Sequence, residues 1–312
     1  MRFSLILGIV APLFGLILLG WIAGRRSWLP SASTQALNAF VVRLALPALL
    51  FRIIAEARWA TLWHPGFIGA FCGGMAATFV LGLVFTRGRP LAERSLEALT
   101  AAYANTAFIG IPLCLAAFGS EAGPPPVIAS ILTVSLLFAF AILLVEFDIH
   151  RGRRVSATLA GIAAALIRNP LLIAPAAGAS WMATGRPLPG PVHELTAALG
   201  AASTPCALVT IGLFLAEPRH DAPPAHRAAI PILLKLLVHP AITALLVLWI
   251  FRMPTLWSNA AILLAALPTG TGPFMLAELY NRETGIAARG ILVSTIISVL
   301  SITLLLALLP PV

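Results

Sequence analysis

Apolar stretches of about 20 residues recur along this chain from end to end, and no other property restricts its fold as much. At a rise of about 1.5 Å per residue, an α-helix of that length crosses the roughly 30 Å of hydrocarbon in a bilayer. The segments fall near residues 3–23, 34–54, 65–86, 96–118, 127–147, 163–183, 195–216, 230–251, 258–280 and 288–309. Lipid offers no partner to an open backbone, so ten spanning helices are predicted and the chain is an all-α integral membrane protein. The connections are short and rich in Gly, Pro or Arg, as in the stretch 87–90 (RGRP) or 123–126 (GPPP), and none has the length of a soluble domain. Only 10% of the 312 residues are charged, against roughly 25% in soluble domains. Arg2 precedes the first stretch as in a signal peptide. That stretch is long, lacks a small-x-small cleavage site and ends at Arg25 and Arg26, so it reads as a retained first span.

Twenty basic residues against eleven acidic ones give a net charge of +9, and nineteen of the twenty are arginine. In a soluble chain this would point to nucleic acid. Here the arginines lie between apolar segments and read as topology signals, with the lipid bilayer and not nucleic acid as the partner. Twelve basic residues fall in the odd-numbered connections (Arg25, Arg26, Arg87, Arg89, Arg94, Arg151, Arg153, Arg154, Arg219, Arg227, Arg282 and Arg289), and five in the even-numbered ones and at the termini. By the positive-inside rule both termini face away from the cytoplasm, here across the inner membrane. Cys72, Cys114 and Cys206 lie in apolar runs with no CxxC pairing, so neither a disulfide framework nor a metal site is predicted.

The ten segments also fold in half, into repeats 1–150 and 151–312. The stretch 37–50 (LNAFVVRLALPALL) can be laid over 195–208 (LTAALGAASTPCAL), so that Pro47 meets Pro205, and 112–116 (PLCLA) over 273–277 (PFMLA). Each half has five segments, an odd number, so the second half is inserted upside down. Inverted repeats of this kind build secondary transporters whose substrate site lies at the midplane between broken helices.

The fourth and ninth segments carry the breaks. The fourth reads ALTAAYANTAFIGIPLCLAAF from Ala98, and the ninth reads AAILLAALPTGTGPFMLAELY from Ala260. Pro112, Pro268 and Pro273 lack an N–H, and each ring clashes with the carbonyl four residues before it. Gly110, Gly270 and Gly272 add backbone freedom, while Asn105, Thr106, Thr269 and Thr271 supply polar partners. Unwound backbone at bilayer depth persists only where protein or a watery cavity receives it, so these segments line a candidate site. A helix restarting after a break presents free N–H groups and the positive end of its dipole, and two such restarts favour an anion such as a carboxylate. Carbonyls released on the other side suit Na⁺ or a protonated water, and the residues do not choose between H⁺ and Na⁺; no other cofactor is implied.

Charges within the segments are few. Arg43 is the deepest cation, and two roles fit it: a substrate or gating partner, or pairing with local carbonyls. Lys235 and Arg168 lie near helix ends, where snorkelling to the interface is expected. Glu278 and Glu146 hold similar places, and each is read either as an interfacial carboxylate or as a proton-coupling acid. His239, before Pro240, reads as a helix-to-helix bond. The GxxxG patterns Gly20–Gly24 and Gly69–Gly73 permit close helix approach.

The stretches 103–113 (YANTAFIGIPL) and 267–281 (LPTGTGPFMLAELYN) resemble the crossover helices of the auxin efflux carrier family, which includes plant PIN carriers and bacterial transporters of malonate and related organic acids. The stretches 38–51 (NAFVVRLALPALLF) and 168–173 (RNPLLI) resemble that family's second and sixth helices, so the likeness runs through the whole chain in order. It implies a fold related to the bile acid symporters, with helices 1, 2, 6 and 7 as a scaffold and often a homodimer contact. Helices 3–5 and 8–10 then form a moving transport domain, helices 4 and 9 cross at their breaks, and alternating access is elevator-like. The likeness also puts a substrate-binding asparagine at Asn105. The long cytoplasmic loop of the plant carriers is absent, since only residues 150–156 separate the fifth and sixth segments. The function expected is secondary active transport of a small organic anion, the cavity lined by Asn105, Thr106, Gly110, Pro112, Pro268, Thr269, Gly270 and Pro273. A passive channel or membrane sensor using the same cavity is the alternative. An enzyme is not expected, because neither HExxH nor GxSxG nor paired intramembrane acids occur.

Overall fold

A computed structural model describes residues 2–30, 32–58, 63–151, 168, 170–216 and 224–310; the side chains of 2–10, 13, 14, 108, 112, 120 and 225 lie outside that set. Among these residues the chain is all helical, and its one β feature is an isolated bridge. The helices are α1 (Arg2–Arg25), α2 (Ser33–Ala55), α3 (Pro65–Phe85), α4 (Leu91–Ala102), α5 (Ile111–Phe118), α6 (Pro124–Ile149), α7 (Pro170–Ala183), α8 (Gly190–Ala216), α9 (His226–Phe251), α10 (Thr255–Ala266), α11 (Gly272–Leu279) and α12 (Gly285–Leu308). Six of them, α2, α3, α6, α8, α9 and α12, are long and apolar enough to cross a membrane. The fourth predicted segment is α4 and α5, and the ninth is α10 and α11. Most of the predicted start of the sixth segment, and Arg153, Arg154 and Arg219, lie outside the described residues.

Outer faces are oily. On α12, Leu300, Leu304 and Leu308 form a stripe with 70%, 62% and 73% of their surface exposed. A stripe of that kind belongs against hydrocarbon. The interior is held by small residues that let backbones touch. A Cβ on Gly20 would lie 2.3 Å from the Val209 carbonyl oxygen, and one on Gly212 would lie 2.1 Å from that of Ile17, so α1 and α8 meet backbone to backbone. Gly178 brings α7 against the Phe51 carbonyl of α2, and Gly200 brings α8 against Leu49. A second set of contacts joins Gly74 of α3 to Thr243 of α9, Gly82 of α3 to Ala98 of α4, and Gly290 of α12 to Thr100 of α4. Both GxxxG patterns are used in this way, Gly20 and Gly24 on α8, Gly69 and Gly73 on α9.

Several helices contain π turns that the sequence did not disclose: Val41–Ala45, Thr106–Gly110, Leu132–Leu137, Leu234–Val238 and Leu246–Phe251. Three of them end two residues before a proline, namely Pro47, Pro112 and Pro240. The reason is steric. A proline ring collides with the carbonyl four residues earlier, which is Arg43, Phe108 or Leu236, the middle residue of each π turn. Widening that turn moves the carbonyl aside and lets the helix continue. Pro175 and Pro205 sit inside α7 and α8 without one.

Connections gather at two ends. Near one end, Asp148 after α6 accepts a hydrogen bond from the Ala92 amide of α4 at 3.1 Å. Arg89 there pairs with Glu97, and its pKa is lowered first by burial and then by Arg227, against the opposing pull of Glu93 and Glu283. At the other end, Glu56, Ala57 and Arg58 share cavities with Gly123–Pro124 and with residues 185–188.

Close helix contact makes the glycines unequal. Gly20→Ala should cost about 1–3 kcal/mol by forcing α1 off α8, whereas Gly15→Ala, with nothing within 4 Å of its new methyl, should leave stability unchanged or raised. Thermal unfolding of the purified protein in detergent, followed by size-exclusion chromatography, measures both.

Candidate functional site

Two helices stop in mid-course and their loose ends pair. α10 ends at Leu267, whose φ and ψ of −59° and 152° are the extended values that a following proline demands. α4 ends at Tyr103, also extended. The freed segments then lie antiparallel: the Asn105 amide donates to the Pro268 carbonyl at 2.9 Å, the Gly270 amide donates to the Tyr103 carbonyl at 3.0 Å, and Ala104 faces Thr269 between them. Two residues of sheet thus satisfy backbone that lipid would leave stranded. Asn105 next forms an inverse γ-turn, φ −78° and ψ 60°, with the Thr106 amide 2.8 Å from the Ala104 carbonyl. The Asn105 carbonyl in turn accepts the Gly110 amide at 3.1 Å, the i→i+5 bond of the π turn that leads into α5.

The helix ends on either side of the break are capped from other elements. Thr269 Oγ1 donates to the Thr100 carbonyl of α4 at 2.9 Å, and Ser294 Oγ of α12 accepts the Thr269 amide at 3.0 Å. Lys235 Nζ of α9 donates to the Ala265 carbonyl of α10 at 2.6 Å and contacts His239 Nδ1 at 2.9 Å. Lys235 is the chain's one lysine and is fully buried, so the snorkelling expected of it is overturned: the nearest use for its ammonium is an orphan helix-end carbonyl. The expected helix-to-helix bond of His239 is replaced by this contact within α9, and His239 Nε2 has no partner among the described residues.

The restarts point the other way. The π turn leading to α5 and the start of α11 both begin at the crossing, where Pro273 occupies the first turn of α11 and its missing N–H costs nothing. Residues 106 and 107 before α5 and residues 270 and 271 before α11 border one cavity, so the positive dipole ends of both restarts lie beside it. The Tyr103 ring packs against Gly270 and the start of α11, where a Cβ on Gly270 or Gly272 would come within 2.9 Å or 2.5 Å of it, and it meets Phe138 edge-on with centroids 5.9 Å apart.

A cavity of about 20 Å³ adjoins the crossing, walled on one side by Leu46, Leu49, Leu50 and Ile53 of α2 and on the other by Tyr103–Ala107, Gly270 and Thr271. It has room for about one water. The Asn105 side-chain amide makes no hydrogen bond to any described residue, and Thr106 Oγ1 is buried without a partner. Unspent donors and acceptors in an otherwise satisfied crossing are what a polar guest would use.

Of the residues expected to line the site, Asn105, Thr106 and Gly270 do so. Pro268 and Thr269 build the pairing beside it, Pro273 is buried in α11, and Gly110 packs against Leu264 and Leu267 of α10. The backbone of Pro112 belongs to α5, and its side chain lies outside the described set. Arg43 is exposed on the outer face of α2 and does not line the cavity; its π turn adds a residue and rotates the helix face that 3.6-residue counting assigns. Glu146 is buried near the end of α6, accepting the Tyr280 hydroxyl at 2.6 Å with His150 Nδ1 at 3.5 Å, and Glu278 is partly exposed near the end of α11. Sequence reasoning gave no role to Tyr103, Ser294, Thr100 or the α2 leucines, whose only signal was that Tyr103 opens the distinctive YANT stretch. The three cysteines are free, and no group of three metal-ligating side chains occurs among the described residues.

Ser294→Ala strands the buried Thr269 amide and should lower stability by about 1–2 kcal/mol. Ser301→Ala on the same helix removes a hydroxyl that already has no partner and should be neutral. Paired thermal melts in detergent measure the difference.

The chain matches, over residues 5–306, the family model described as membrane transport protein. It is 30% identical to a protein of Rhizobium meliloti (strain 1021) named "Putative malonate transporter", covering 96% of this chain and 95% of that one. It is 23% identical to auxin efflux carrier component 8 of Arabidopsis thaliana over 92% of each chain. It is also 24% identical to the lysosomal cholesterol signaling protein of Mus musculus, covering 91% of this chain and 35% of that one. Members of this family are transporters and not enzymes. The chain, a multi-pass membrane protein whose two broken helices pair beside a small cavity, belongs to the membrane transport protein family that includes the auxin efflux carriers.

Proposed function

We propose that this protein is a secondary active carrier of a small organic anion, a dicarboxylate of the malonate kind, across the inner membrane. The observation that carries the reading is the pairing of residues 103–105 with 268–270, which aims two helix N-termini at a cavity holding the unspent amide of Asn105. Positive dipole ends with a neutral amide suit a carboxylate: charge attracts it and the amide orients it. The relative named for malonate supports the choice of anion.

The ten segments then form two inverted halves, 1–150 and 151–312, with both termini on the non-cytoplasmic side. Helices α1, α2, α7 and α8 are the scaffold, and α3–α6 with α9–α12 are the moving body. Two sets of glycine contacts favour this division, α1–α8 and α2–α7 in one, α3–α9, α3–α4 and α4–α12 in the other. The cavity lies where the two sets face each other, between α2 and the crossing. At about 20 Å³ it is too small for a dicarboxylate, so loading requires the moving body to slide against α2, as elevator-like access entails. Carbonyls that would draw Na⁺ are engaged by Lys235 and Thr269, which favours H⁺ as the coupling ion.

Counterflow in proteoliposomes tests the reading: labelled malonate should accumulate against unlabelled malonate, faster at lower pH and equally in sodium and choline buffers. A passive channel gives no counterflow. Asn105→Ala should reduce the rate at least tenfold while the protein purifies and melts as the wild type does. Wild-type kinetics in that variant would remove Asn105 from the site.

A further inference from the structure

Outside the crossing, one half-buried arginine has a buried nitrogen with no partner among the described residues. Arg52 lies in the last turn of α2 with its Nε buried and unbonded, and no hydrogen bond or ion pair to it occurs among the described residues. One helical turn on, Glu56 is the carboxylate that would ordinarily neutralise it. Glu56 borders the same cavity as Arg52 but is engaged elsewhere, its Oε1 2.6 Å from His193 Nδ1 of α8.

Arg52 also has somewhere to point. It lines an open cavity of about 510 Å³ with Ile53, Arg58, Ile111, Pro124 and Val127. Ile53 belongs to the wall of this cavity and to that of the crossing, so the two spaces adjoin. Ile111 opens α5 directly after the π turn at the crossing. A neighbouring cavity of about 870 Å³ shares Glu56, Ala57 and Arg58 and adds Arg186 and His193. The two cavities are lined by three arginines, Arg52, Arg58 and Arg186, and by one carboxylate, Glu56, already engaged by His193; that balance attracts anions and low-dielectric walls concentrate the attraction.

We propose that Arg52 forms an anion-binding station in this vestibule, taking the carboxylate of an organic acid on its way past Ile53. The inference rests on the transport reading for its substrate class. The fork of a guanidinium matches a carboxylate through two parallel hydrogen bonds. A place in the last turn of α2 also complements the helix dipole, but that role calls for no unpartnered Nε beside an open cavity.

Two measurements on the same proteoliposomes decide it. In counterflow, Arg52→Gln should raise the KM for malonate roughly tenfold or more, the loss expected for one charge-assisted bond, with kcat within about twofold, and Arg52→Lys should recover part of it. An unchanged KM in Arg52→Gln overturns the station, and so does an equal loss in Arg52→Lys and Arg52→Gln. In parallel, phenylglyoxal modification of Arg52, read by peptide mass spectrometry, should be slowed by malonate and acetate. If the wild type carries no carboxylate, the transport reading fails by itself. The station then stands if carboxylates still protect Arg52 and falls if they do not.

Discussion

Two backbone hydrogen bonds between residues 103–105 and 268–270 are what the rest of this molecule depends on. An unwound helix inside a bilayer strands polar groups at several kcal/mol each. Either break alone would be a defect. Placed against each other, each supplies the donors and acceptors the other lacks, so the cost of one interruption is offset by the second. The arrangement then separates the dipole ends: C-terminal carbonyls go to Thr269 and Lys235, and the residues that open the two restarts border the cavity. Polarity at the crossing is thus a consequence of how the breaks are satisfied.

Prolines and glycines divide the labour around that point. Pro268 ends α10 by restricting Leu267, and Pro273 starts α11 where a missing N–H has no cost. Pro47, Pro112 and Pro240 instead sit behind π turns, which absorb the ring clash without ending the helix. Glycine supplies proximity. Gly270 and Gly272 let α11 rest on the Tyr103 ring, and Gly110 lets the start of α5 rest on α10. A methyl at any of these would push the broken segments apart, so packing and polar satisfaction fail together.

Much of this was legible in the chain. Apolar segment lengths named the environment and the helical class because hydrocarbon thickness is fixed and lipid accepts no open backbone. The stretches YANTAFIGIPL and LPTGTGPF marked both breaks, since proline, glycine and asparagine have no cheaper use in the middle of an apolar run. What those stretches did not disclose was the use of each residue. Gly110 looked like a site residue and is a packing contact; Arg43 looked central and faces outward. A π turn adds one residue to a helical turn, so every face assigned beyond it by 3.6-residue counting is rotated.

Lys235 shows the same limit from the other side. Its position near the end of an apolar segment was consistent with snorkelling, because sequence gives depth only along its own helix. Whether an ammonium reaches water or an orphan carbonyl is set by which helix end lies within 3 Å, and here Ala265 does. By itself, then, the sequence determined the solvent, the helical class, the positions of both interruptions and the family likeness, all of which follow from local chemistry and spacing. Only the tertiary structure decided which carbonyls were capped, which glycines touched and which polar groups remained unspent beside a cavity, because those depend on distances between separate helices, from Lys235 and Ala265 at 30 positions apart to Thr100 and Thr269 at 169.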